Sequence, residues 1–156
     1  MDNTDRPAAT VYFDGACPLC RAEISHYRAQ TGADSLQFVD VAEPGTDLGS
    51  GLEREQALAR FHVRGSDGAL VSGAAAFVAV WSHLPRWQWA ARVARLPGIL
   101  PGLELAYRAF LPIRPYLSRV VGRVLATAPA RSPAAAQGNA ATAALDQVEV
   151  GKRPDR

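Results

Sequence analysis

The sequence predicts an α/β domain, a four-stranded mixed sheet flanked by helices with extra helices towards the C-terminus. Three observations carry this. Short runs of β-branched and aromatic residues alternate with stretches whose apolar residues recur at helical spacing. The first two strand-like runs are joined by a helix-length segment, which makes a parallel βαβ unit with a right-handed crossover. The last two flank Gly65-Ser66-Asp67-Gly68, which reads as a hairpin turn.

Each element follows from its residues. Met1 to Ala9 is polar and reads as a flexible lead-in. Thr10 to Phe13 is the first strand. Asp14-Gly15 is turn chemistry, with Gly15 free to take a positive φ. Pro18 suits the first turn of a helix, where its missing N–H costs nothing, so Cys17 is the expected N-cap. That helix runs to about Gln30, with Thr31-Gly32 as its C-cap. Cys20, Ile24 and Tyr27 share its inner face, and Arg21, Glu23 and Arg28 fall on other faces. Leu36 to Val41 is the second strand and Leu52 to Leu58 a short helix. Arg60 to Val63 and Ala69 to Val71 are antiparallel strands, and Gly73 to Leu84 is an apolar, buried helix. The order β-α-β-α-β-β-α is that of a thioredoxin-like core. Pro85 to Pro101 is helical, with Trp87, Trp89, Val93 and Leu96 expected to pack back on the core. Leu103 to Leu111 and Pro115 to Ala126 are two further helices. From Thr127 the composition shifts to Ala, Pro, Gln and Gly, which predicts a disordered tail. The domain reading is therefore 1–9 lead-in, 10–126 folded domain and 127–156 tail.

Composition narrows the class. With 156 residues, 48% of them hydrophobic, the chain can bury a core for one domain. The net charge is +2 and the arginines are spread out, so no basic block points to nucleic acid. The N-terminus has no apolar leader run, and the longest apolar stretch, Ala69 to Leu84, is too short and too polar to span a bilayer. The expected location is the cytoplasm. A Cys-x-x-Cys pair there is catalytic more often than structural.

Cys17 and Cys20 are the only cysteines. A thiolate is the nucleophile in disulfide exchange, and a helix N-terminus favours the anion. Cys17 at the N-cap is expected to be exposed and to attack a substrate disulfide. Cys20, one turn on, is expected to resolve the mixed disulfide. A partner then reduces the Cys17–Cys20 disulfide. Asp14, three residues before Cys17, either helps take the Cys20 proton or caps the turn. The substrate is a disulfide-containing protein or a small-molecule thiol, and the electron donor is unidentified. No cofactor or metal is expected. A zinc site needs four ligands, and His26, His62 and His83 are widely spaced. A c-type haem site needs His where Arg21 stands. Two inert thiols in a non-enzymatic binding module are the alternative reading, with a zinc site a lesser one. His62 is read as a paired structural residue, and the arginines between Arg86 and Arg123, Arg114 among them, as a solvated face.

The Asp14-x-x-Cys17-x-x-Cys20 pattern resembles the DCC family of thiol-disulfide oxidoreductases. The resemblance extends through Tyr12-Phe13-Asp14-Gly15, Phe38-Val39-Asp40-Val41, Asp67-Gly68, Leu84-Pro85, Leu96-Pro97-Gly98 and Tyr107-Arg108, from about Val11 to Arg119. It implies a thioredoxin-like fold, disulfide oxidoreductase activity and functional positions at Asp14, Cys17 and Cys20. Two departures from the wider thioredoxin pattern stand out. No proline occurs from Thr46 to Leu84, where a cis-proline usually faces the Cys pair, and Ala16 replaces the aromatic before the first Cys. The surface that holds the redox partner should therefore differ.

Overall fold

The computed structural model describes residues 7–127. In chain order the elements are β1 (Ala9–Phe13), α1 (Pro18–Arg28), β2 (Leu36–Asp40), α2 (Arg54–Ala59), β3 (His62–Gly65), β4 (Leu70–Ser72), α3 (Ala74–His83), α4 (Gln88–Ala94), α5 (Ile99–Phe110) and α6 (Arg114–Thr127). The sheet order is β2-β1-β3-β4. β1 pairs parallel with β2 and antiparallel with β3, and β4 closes the edge antiparallel to β3. This is a thioredoxin-like fold. The chain divides into two units at Leu125 and Ala126, and only the end of α6 is described in the second. The Ala-rich tail from 128 onward lies outside the described residues.

Alternation along β1 builds two cores. Val11 and Phe13 face α1 and α3, meeting Ile24, Tyr27, Ala76, Val80 and Leu84. Tyr12 faces the opposite way, towards α2, with Val41, Leu48, Leu52 and Ala57. A period of two on a strand produces this split. A third, smaller core joins α3 to α4 through Val78, Ala91 and Ala94.

Several sequence expectations move. α1 ends at Arg28 with Ala29 as its C-cap, and Gly32 instead opens a 3-10 turn at φ 89°. α5 starts at Ile99, before the expected Leu103, because Pro101 falls in its first turn, where no backbone donor is lost. Trp87 does pack inward, stacked on Trp81 at 5.7 Å. Trp89, Val93 and Leu96 do not; they are 65%, 47% and 55% exposed. On a helix as short as α4 the inner face is taken by Ala91 and Ala94, which leaves the large residues outside.

Glu104 ties α5 to the domain. One carboxylate oxygen accepts from Arg60 at 2.6 Å and Arg108 at 2.9 Å. The other accepts from the Ala74 N–H at 3.0 Å, at the start of α3. Gly73, the N-cap there, has φ 65°, and a Cβ would fall 2.4 Å from both Arg60 Nη2 and Glu104 Oε2. Only glycine fits. The Arg60 guanidinium is the main cause that holds the Glu104 carboxyl down to about 2. Its folded value lies below its unfolded value, so its stabilisation is complete above the unfolded value of about 4.3 and lost as pH falls towards 2. Glu104→Gln should cost about 1–2 kcal/mol at neutral pH, since the group is partly solvated. Urea denaturation at pH 7 and pH 3 checks this, because the gap between wild type and variant should shrink at the lower pH.

Candidate active site

The turn between β1 and α1 sets the geometry. The Cys17 N–H donates to the Asp14 carbonyl at 3.2 Å. The Ala16 N–H donates to Asp14 Oδ1 at 3.0 Å. The Gly15 N–H donates to Asp40 Oδ1 at 2.9 Å, and a Cβ on Gly15 would lie 1.7 Å from the same carboxylate. Gly15 is thus needed for this close approach. It is not among the glycines of positive φ, contrary to the sequence expectation. Cys17 is the N-cap of α1 as expected, in extended conformation, with Pro18 in the first turn. Its sulfur accepts the Cys20 N–H at 3.5 Å, as a capping side chain does. Both cysteines are free thiols.

α6 completes the site, which sequence reasoning missed. The Arg114 guanidinium reaches Asp14 Oδ2 at 3.0 Å, Cys20 Sγ at 3.2 Å and the Leu58 carbonyl at 3.1 Å. One turn on, Ser118 Oγ lies 3.5 Å from Cys17 Sγ. One turn further, Gly122 lets α6 sit close to Pro18, whose Cγ would be 3.2 Å from an added Cβ. Because α6 crosses here, Cys17 is 7% exposed rather than open to solvent. Asp14 is held by the turn and by Arg114, so it both caps and pairs. Arg114 leaves the solvated face to which the sequence assigned it. Its place on a helix start, between prolines 112 and 115, was the available signal.

The two thiols are driven apart. Burial alone would raise Cys17, but hydrogen bonds from the Cys20 thiol, Ser118, the Cys20 N–H and Arg114 outweigh it and hold Cys17 below its ordinary value. Cys20, the more exposed of the two, is still partly buried. Burial first, and donation to Cys17 second, push it up to about 12 despite Arg114. Of the pair, Cys17 is the one that ionises.

Two hollows flank the pair. A cavity of about 60 Å³ is lined by Asp14, Cys20, Glu23, Arg60, Tyr107, Arg114 and otherwise mostly apolar and aromatic side chains. Glu23 turns into it rather than outward. Burial raises its carboxyl, which accepts from Tyr27 Oη at 3.0 Å. A wider groove of about 440 Å³ opens over Cys17, between Leu58, Ala59, Arg114, Ser118 and Arg119. His62 lines neither hollow and pairs with the Arg60 carbonyl at 2.8 Å, as a structural histidine does. Arg21 is exposed on α1. Among the described residues no three His, Cys, Asp or Glu side chains converge as metal ligands would, and no helix is long and apolar enough to cross a membrane.

Residues 11–120, well over half of the chain, match the family model described as DCC1-like thiol-disulfide oxidoreductase. The chain belongs to the DCC1-like family. The match takes in Asp14, Cys17 and Cys20 and continues through Arg114 and Ser118, so α4, α5 and the first half of α6 belong to the family domain. No curated protein and no solved structure matches the chain. The segment that usually carries a cis-proline is closed in this DCC1-like chain. There is no cis peptide among the described residues. The Phe61 N–H donates to Tyr107 Oη at 3.0 Å. The Phe61 carbonyl accepts from Gly73 at 2.9 Å. The Leu58 carbonyl is taken by Arg114.

Proposed function

We propose that this protein is a dithiol–disulfide oxidoreductase in which Cys17 attacks and Cys20 resolves. The observation that carries the reading is the opposite displacement of the two thiols within one turn of α1, which makes one a ready nucleophile and the other a reserve. In the first step the Cys17 thiolate bonds to one sulfur of the substrate and the substrate S–S bond breaks, releasing one thiolate, which takes a proton from water. In the second, Cys20 loses its proton and attacks Cys17 Sγ, releasing the other thiolate. Two electrons pass from the protein to the substrate, and a second dithiol returns them. Arg114 and Ser118 hold the Cys17 anion, and Asp14 holds Arg114. Glu23, on the same cavity as Cys20, accepts the Cys20 proton. A reducing compartment such as the cytoplasm suits the cycle, because there the dithiol form is replenished. The domain reading of 10–126 with a separate tail accompanies this proposal.

Mass spectrometry of the reduced protein after addition of hydroxyethyl disulfide, a neutral reagent, tests it. The expected course is a transient mixed disulfide followed by a product two hydrogens lighter than the dithiol. Glu23→Gln should prolong the mixed disulfide without slowing its formation. A protein that stays unmodified contradicts the oxidoreductase reading and favours two inert thiols in a binding module.

A further inference from the structure

The groove over Cys17 has a composition that selects its occupant. An extended polypeptide held beside the thiol would need free main-chain groups there. Most of those in the 58–61 segment are occupied. Leu58 O is bonded to Arg114, Arg60 N to Gln56 O, Arg60 O to His62, Phe61 N to Tyr107 and Phe61 O to Gly73. α6 lies across the thiol on the other side. Recognition then falls mainly to side chains, and Arg119 leaves these with a net positive charge. Among the described residues Asp14 is the only acid lining the groove, and it is paired with Arg114 at 3.0 Å. Arg119 is exposed at the rim, with its guanidinium 5.8 Å from the centre of the Tyr116 ring and no carboxylate partner among the described residues. Ser118 supplies a hydroxyl, and Leu58, Ala59 and Leu111 an apolar wall. A positively lined cleft raises the local concentration of anions.

We propose that the groove binds a small disulfide bearing a carboxylate, with the carboxylate on Arg119 and the nearer sulfur at Cys17. This rests on the oxidoreductase reading above and names its substrate class. The chemistry is the exchange already written. Cys17 Sγ bonds to the substrate sulfur nearer the groove, the substrate S–S bond breaks, and the distal half leaves as a thiolate. Cys20 then displaces the bound half, so each disulfide consumes one dithiol and yields two thiols.

The test compares single-turnover oxidation of the full-length reduced protein by three small disulfides: dithiodipropionate, hydroxyethyl disulfide and cystamine. They are anionic, neutral and cationic in turn. Each rate is divided by that of a free small thiol with the same reagent, which removes intrinsic reactivity. The anionic reagent should then be favoured over the cationic one by about three- to tenfold at low salt, with the ratio falling as salt is added. Arg119→Glu should abolish or reverse the ratio, and Arg119→Lys should keep it. An equal preference in wild type, or an unchanged ratio in Arg119→Glu, overturns the proposal. So does faster oxidation by a disulfide-bonded protein such as insulin than by dithiodipropionate. If hydroxyethyl disulfide oxidises the protein while the charge preference is absent, the substrate class fails and the oxidoreductase reading stands. If no reagent oxidises it, both fall.

Discussion

Cys17→Ser should reduce disulfide exchange to the uncatalysed background, and Cys20→Ser should stop the reaction at a stable mixed disulfide on Cys17. The asymmetry follows from the site. Cys17 is the thiol whose anion is supported by the Cys20 N–H, Ser118 and Arg114. Serine cannot replace it, because an alkoxide is not available at neutral pH. Cys20, pushed up to about 12, is a poor first attacker but is poised against the Cys17 sulfur. Removing it leaves the first step intact and removes the second. Non-reducing electrophoresis and mass spectrometry with a thiol-reactive disulfide reagent separate the two variants. Trapping by Cys17→Ser rather than by Cys20→Ser would reverse the assigned roles.

The second large effect is expected at Arg114. Arg114→Gln should raise both thiols, slow exchange at neutral pH by about tenfold or more, and destabilise the fold by about 1–3 kcal/mol. The reason is that three partners lose one cation together. Asp14, only 19% exposed, would keep its charge unpaired beside the thiols, and the Leu58 carbonyl would lose its donor. The rate loss should shrink as pH rises, because the missing effect is on ionisation of Cys17, whereas a variant impaired only in packing would be slow at every pH. Arg114→Lys should recover part of the thiol shift and little of the stability, since one ammonium cannot span Asp14, Cys20 and Leu58 in a fixed fork. Rates from pH 6 to 10 and urea midpoints for both variants check these expectations.

Much of the fold was readable because its signals are local. The alternation in Leu36 to Val41, the Gly65-Ser66-Asp67-Gly68 turn and Pro18 after Cys17 each state their structure within a few residues. The parallel sense of the first two strands and the antiparallel sense of the last two then follow from connection rules, whereas the pairing of β1 with β3 does not. The site was half readable for the same reason. Asp14, Cys17 and Cys20 lie together in sequence, whereas Arg114 and Ser118 reach them across separations of 94 and 101 residues. The flanking prolines 112 and 115 are the one local mark that sets Arg114 apart from Arg119 or Arg123 on the same helix. The burial of Cys17 was misjudged because of that separation as well: N-cap geometry alone leaves it open, and only the crossing of α6, close-fitting at Gly122, covers it. Glu23 was placed on an outer face because helical spacing locates a side chain's base and not its end. The hydrogen bond from Tyr27 draws the carboxyl inward.

The most direct test of the central claim is the ultraviolet absorbance of thiolate in the reduced protein as a function of pH, with Cys17→Ser as the reference. The account predicts one thiolate appearing below the range of an ordinary free thiol and absent from Cys17→Ser, and a second only at strongly alkaline pH. A first thiolate that appears at or above the ordinary value, or that persists in Cys17→Ser, would contradict it.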